Sequence, residues 1–224
     1  MTACKTYLNL STERQSEIVQ VALLEFTMND YKNASLSSII KKLDLAKGSF
    51  YRYFKSKKEL YVFLIEMLTE IRFEEIDELS QQKQISLKHL IIENYRNKIQ
   101  FDKKYPLYSG FSYRIFREWN NEELGEIITR LRDQVLQITR TILENFVNQG
   151  TISKSIDLDA AAFLIFQVQV GFFDYLSYKH NLDFLGNIEK GKPIYSMPDE
   201  EILDCLKNFV NIMVDGIQHK PDNK

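Results

Sequence analysis

Residues 34–60, ASLSSIIKKLDLAKGSFYRYFKSKKEL, leave the chain few ways to fold. Leu36, Ile39, Ile40 and Leu43 recur at the three-to-four spacing of one helical face, and Leu45, Phe50, Tyr51 and Phe54 supply a matching face on a second helix. The residues between the two runs suffice only for a tight turn. Lys47, Gly48, Ser49 and Arg52 are left facing outward. A short helix with small and basic residues near its start fits a major groove, where Lys and Arg reach base edges or phosphates and Gly lets the backbone come close.

Around this core the pattern extends without a gap. Ile18, Ala22, Phe26, Tyr31, Ser35 and Ile39 precede Lys47-Gly48-Ser49-Phe50-Tyr51, which is followed by Tyr53-Phe54 and Ser56-Lys57-Lys58-Glu59-Leu60. Together these residues resemble the DNA-binding domain of TetR-type transcriptional repressors over roughly residues 12 to 62. The resemblance implies a homodimer that binds double-stranded DNA at a palindromic operator and answers to a small-molecule effector. DNA contacts are expected from Ser35, Lys47, Gly48, Ser49, Tyr51, Arg52, Tyr53, Lys55 and Lys57, with Lys47, Ser49 and Arg52 nearest the bases. The resemblance makes Tyr51 and Lys57 phosphate contacts. Three positions depart from the family pattern. Asp30 and Asp44 stand where Gly is usual, and Asp tolerates a left-handed turn better than most residues. Ala46 stands where Ser or Thr usually caps the recognition helix, an absence worth about 0.5–2 kcal/mol.

Charge supports the same reading. The chain carries a formal net charge of −2, yet residues 1–60 sum to +4, and residues 41–58 hold seven basic side chains against Asp44 alone. Eight Gly and four Pro in 224 residues, with 3.6-residue periodicity nearly throughout, indicate an all-α protein. A first helix is expected from Ser11 or Thr12 to Met28, burying Ile18, Val21, Ala22 and Phe26. A helix starting at the Ser56/Glu59 capping box runs toward Ser80. Further helices are expected near 86–104, 106–118, 121–149, 157–180 and 199–218, with a breaker-rich loop from Gly186 to Pro198. The domain organisation expected is a helix-turn-helix domain over 1–55 and a regulatory and dimerisation bundle over 56–224.

A catalytic constellation is not evident. His89, His180 and His219 are far apart and lack the Glu spacing of metal helices, and no Gly-rich phosphate loop or nucleophile elbow occurs. Neither a metal nor a cofactor is expected. His180 reads as a residue complementing a helix C-terminus, His89 and His219 as solvent-facing. Cys4, in a loose tail, and Cys205, a small buried residue, do not make a disulfide framework. No run approaches the roughly 18 uninterrupted apolar residues of a membrane span, so a cytoplasmic protein is expected.

The C-terminal part offers two further sets of candidates. Tyr95, Tyr108, Phe111, Phe116, Trp119, Phe166, Gln167, Phe173 and Tyr178 are candidate walls of an apolar pocket, with ordinary core as the alternative for the aromatics. Phe163, Val170, Leu206, Phe209, Val210 and Met213 lie on apolar helices suited to a four-helix dimer interface or to the chain's own core. The expected function is therefore a DNA-binding regulator, a repressor released by a small apolar or aromatic effector. The rivals are a ligand-independent dimeric DNA-binding protein and, behind it, a helical-bundle enzyme.

Overall fold

Helical periodicity accounts for almost every element of the computed structural model, which describes residues 5–80 and 85–217. In chain order the helices are α1 (Lys5–Leu8), α2 (Thr12–Met28), α3 (Leu36–Lys42), α4 (Lys47–Tyr51), α5 (Lys57–Ser80) and α6 (Leu87–Lys104). They continue with α7 (Pro106–Ile115), α8 (Gly125–Asn148), α9 (Leu158–His180), α10 (Phe184–Glu189) and α11 (Asp199–Ile217). The fold is all-α, with no strand among the described residues.

Local chemistry sets the boundaries. Ser11 caps α2 by accepting from Arg14 N, Ser35 caps α3 by accepting from Ser38 N, and Asp157 caps α9 by accepting from Asp159 N and Ala160 N. At the start of α5 the Glu59 amide donates to Ser56 Oγ at 3.1 Å, while Glu59 Oε2 accepts from Lys55 N at 2.8 Å. The capping box therefore closes one residue earlier than its usual form, on the amide before the cap. Two elements differ from expectation. The short helix α1 was not expected, and it brings Tyr7 into the core, buried against Phe54 and Phe63 with ring centroids 5.2 and 5.1 Å away. Burial pushes its hydroxyl pKa up to about 12. The loop from Gly186 begins as helix α10, because Asp183 Oδ1 accepts from Gly186 N and starts a turn. Cys4, Gln218 and His219 lie outside the described residues.

The chain forms two compact units, each assembled from separate stretches. The first comprises Met1–Glu78, Phe101–Ile128 and Asp183–Ile194, the second Leu79–Gln100, Thr129–Leu182 and Tyr195–Lys224. The boundary expected at residues 55/56 falls inside the first unit. In that unit Ile18, Ala22, Phe26, Ile39, Leu43, Phe50, Phe54 and Leu60 form a core with almost no exposed surface. Helix α7 packs on α2 where Gly110 allows close approach: a Cβ at that position would meet Thr27 Cγ2 at 2.7 Å and Ile188 Cδ1 at 2.9 Å. In the second unit α9 packs along α11, Phe209 meeting Tyr175 and Phe172 at centroid distances of 4.7 and 5.7 Å. Tyr95 of α6 stacks edge-on against Phe172 at 5.1 Å and donates its hydroxyl to Gln169 O at 3.0 Å.

Helix α9 is, by length and a mean hydropathy of 1.3, apolar enough to cross a membrane. One side of it is buried within the protein, through Ala162, Ile165, Phe166, Phe172, Phe173 and Leu176.

Candidate nucleic-acid interface

The α3–α4 pair is held by backbone closure and by a buried carboxylate. Asp44 sits in the left-handed region at φ 48°, its amide donating to Lys41 O and that of Leu45 to Ile40 O, both at 3.2 Å. These two bonds make a Schellman ending of α3, the turn that Gly usually supplies. Asp30 behaves differently. It does not adopt a positive φ; its carboxylate instead accepts from Asn33 N and Nδ2 at 2.8 and 3.0 Å, bracing the turn after α2. Ala46 begins α4 with no side-chain cap.

Glu25, which the sequence reading passed over, organises the base of this motif. Its buried carboxylate accepts from Ser35 N at 3.0 Å, Ser38 Oγ at 3.1 Å, Lys42 Nζ at 3.2 Å and Asn29 Nδ2 at 3.3 Å. Desolvation pushes its pKa upward, but the bonds from Ser35, Lys42 and Ser38 outweigh it and hold the carboxyl below its ordinary value. A signal was available: Glu25 shares the face of α2 that carries Ile18, Ala22 and Phe26, where an unpaired charge would be costly.

On the outer surface Lys47, Gly48, Tyr51, Arg52 and Lys55 are exposed and Ser49 is half-buried, while Phe50 turns inward. Tyr51 was expected in the apolar face of the second helix as well as on DNA; it is 41% exposed and belongs to the outer surface. Arg52 Nη2 donates to Ser49 Oγ at 3.3 Å, so two of the three side chains expected nearest the bases already point together. Ser35 is exposed with its hydroxyl engaged as the α3 cap, and Tyr53 is half-buried.

Lys57 is placed unlike the rest. Its ammonium donates to Tyr31 O at 2.7 Å, Ala34 O at 3.2 Å and Lys32 O at 3.3 Å, and lies 4.5 Å from the centre of the Tyr31 ring. It fastens the α2–α3 turn from within. Helix α7 and the segment after it fasten the other side. Arg114 Nε donates to Thr27 O at 2.8 Å, supplying the C-terminus of α2 with a cation, and Glu118 Oε1 accepts from Tyr31 N at 2.6 Å. The Tyr31 hydroxyl donates to Glu123 Oε2 at 2.8 Å. Burial, then that bond and the charge of Glu123, raise the hydroxyl's pKa well above the ordinary tyrosine value.

The candidate pocket residues divide between the units. Tyr108, Phe111, Phe116 and Trp119 belong to the first, and Tyr95, Phe166, Gln167, Phe173 and Tyr178 to the second. Tyr95, Phe111, Phe166 and Phe173 are buried; Trp119 is 55% and Tyr178 89% exposed, and Gln167 faces solvent. Of the dimerisation candidates, Leu206, Val210 and Met213 are buried in the protomer's own core, because the broad apolar stripe of α11 is used against α9. Phe163 is exposed, Val170 and Phe209 half-buried. Leu164 and Ile212, the latter 80% exposed, are apolar residues the sequence reading did not place on the surface.

Residues 18–62 match the family model of bacterial regulatory proteins of the tetR family. The chain is 24% identical over 180 residues to the uncharacterized HTH-type transcriptional regulator YhgD of Bacillus subtilis, covering 78% of this chain and 90% of that one. It is 23% identical over 208 residues to the fatty acid metabolism regulator protein of the same organism, covering 91% and 95%. A TetR family transcriptional regulator from Chloroflexus aurantiacus has the same fold, with a TM-score of 0.79, 22% identity and coverage of 97% and 99%. Fold, motif and exposed basic surface define a helix-turn-helix DNA-binding transcriptional regulator. Residues 18–62 are thus a DNA-binding domain of the tetR type, and the chain as a whole is similar to regulators of the TetR family. Regulators of this family bind operator DNA as homodimers, respond to small-molecule effectors and are transcription factors rather than enzymes.

Proposed function

We propose that this protein is a cytoplasmic homodimeric repressor that leaves its operator when an apolar effector binds. The observation that carries the reading is the cluster of exposed Lys47, Gly48, Tyr51, Arg52 and Lys55 around the half-buried Ser49, on a helix pair whose base is locked by Glu25. Lys47, Ser49 and Arg52 read base edges, Tyr51 and Lys55 hold phosphates, and Ser35 and Tyr53 flank the contact. The two copies meet through Phe163, Leu164 and Ile212, whose apolar side chains are exposed in the protomer. Buried Tyr95, Phe166 and Phe173 favour an effector with an apolar body, and a relative's role in fatty acid metabolism suggests an acyl chain. Effector binding favours a dimer whose recognition helices no longer match successive major grooves about 34–36 Å apart, and a coupling of about 1–3 kcal/mol is enough.

The test is to recover the fragments of its own genome that the protein retains, then measure operator affinity with and without fatty acids and their thioesters. Lys47→Ala should reduce discrimination against altered operators by about 1–3 kcal/mol if it makes a bidentate base contact. Equal affinity of wild type and Lys47→Ala for every sequence would remove α4 from the reading of bases.

A further inference from the structure

Cys205 lies in α11 beneath the last turn of α9, beside three polar side chains outside the helix-turn-helix. Its sulfur is 3.7 Å from His180 Nε2 and 3.5 Å from Lys179 Nζ. The other ring nitrogen of His180, Nδ1, is 3.4 Å from Glu201 Oε1. Glu201 and Cys205 are four residues apart on α11, and Lys179 and His180 are neighbours on α9, so packing the two helices brings all four together. The groups facing the sulfur are thus Lys179 and His180 from α9, with Tyr175 5.6 Å from the Lys179 ammonium, and Glu201 from α11 behind the imidazole.

We propose that Cys205 is an activated thiol, a modification site for small α,β-unsaturated carbonyl compounds. A nucleophile within reach of a base that a third group orients is the arrangement covalent chemistry needs. The Glu201 carboxylate beside Nδ1 favours the tautomer with its proton on that nitrogen, which leaves Nε2 to take the thiol proton. The Lys179 ammonium donates to the sulfur and stabilises it as thiolate; its own pKa is raised by its bonds to Tyr175 and Cys205. The thiolate attacks the β-carbon of the unsaturated carbonyl, a C–S bond forms, and the π pair moves onto the carbonyl as an enolate. The enolate takes the proton back from His180 Nε2, leaving a neutral imidazole and a thioether, so no oxidant is required. Cys205 is only 5% exposed, which restricts the reagent to small molecules and means that an adduct must part α9 from α11.

The experiment treats the full-length protein with methyl vinyl ketone across a pH series and follows each cysteine by peptide mass. Cys4, the other of the chain's two cysteines, is the reference in the same molecules. At about pH 7 Cys205 should be alkylated about tenfold faster than Cys4 or more. Lys179→Met and His180→Gln should each slow the alkylation of Cys205 and leave that of Cys4 unchanged. Lys179 is exposed, so Lys179→Met carries the test if His180→Gln does not fold. Alkylation of Cys205 no faster than Cys4, or a rate unchanged by the substitutions, overturns the proposal. Because no DNA is used, failure here is distinct from failure of the operator reading.

Discussion

Replacing Lys57 with Met separates two roles that one lysine at the start of a helix can play. As a phosphate contact it would add to DNA affinity without affecting the free protein, and its loss would lower the salt slope by about 1 per contact, roughly 2 for a symmetric dimer. As found, the ammonium spends its three donors on Tyr31 O, Ala34 O and Lys32 O and lies over the Tyr31 ring. Hydrogen bonds from a charged group contribute about 1.5–3 kcal/mol, and a cation over an aromatic face about 0.5–1 kcal/mol. The bonds to Tyr31 O and Ala34 O are part-buried and that to Lys32 O is exposed, so the three do not add and the net loss is about 2–3 kcal/mol. For a chain of this size that loss lowers the melting temperature by about 4–12 °C. The assay is thermal unfolding by circular dichroism beside operator affinity over a salt series, for Lys57→Met and for Lys55→Met, whose side chain is exposed. Lys57→Met should melt earlier with its salt slope intact; Lys55→Met should melt normally with a reduced slope. An unchanged melting temperature together with a slope lowered by about 2 would refute the reasoning and return Lys57 to the phosphates.

Glu25→Gln should destabilise the protein by about 2–4 kcal/mol at neutral pH, since Ser35 N, Ser38 Oγ and Lys42 Nζ lose the buried carboxylate that accepts from all three. Its folded pKa is lowered, so the stabilisation is full above the unfolded carboxyl's value of about 4.3 and disappears as pH falls through the folded one. Wild type and variant should therefore converge in urea titrations at acid pH, and a constant difference at all pH values would contradict the assignment. Gly110→Ala places a Cβ 2.7 Å from Thr27 Cγ2 and should cost about 1–3 kcal/mol in urea unfolding, whereas full stability would mean that α7 is free to move from α2. Phe163→Glu and Ile212→Glu should yield folded monomers in sedimentation, because both side chains are exposed in the protomer; an intact dimer in both would place the interface elsewhere.

The elements were legible because they rest on local causes. Ser11, Ser35, Ser56 and Asp157 cap their helices through bonds to amides two or three residues away. The left-handed Asp44 was readable from the family resemblance, which puts Gly at that position, and Asp tolerates the positive φ that it adopts. Asp30 shows the limit. The same residue type in a similar setting keeps a negative φ, because its carboxylate finds Asn33 and the turn is braced from the side chain instead.

The sequence by itself determined the all-helical fold, the helix-turn-helix and its basic outer face, for these depend on spacing, capping and charge within stretches of a few dozen residues. Only the tertiary structure decided which apolar stripe is core and which is surface, as Met213 went inside and Ile212 outside on adjacent positions of α11. It alone decided that Lys57 turns inward to carbonyls 23 to 26 residues earlier, and that Arg114 and Glu118 hold the α2–α3 turn from 87 residues away. It also set Cys205 against His180 and Glu201. A pattern read along the chain gives each residue's face on its own helix; which partner that face meets depends on how helices distant in sequence pack, and that is a property of the folded whole.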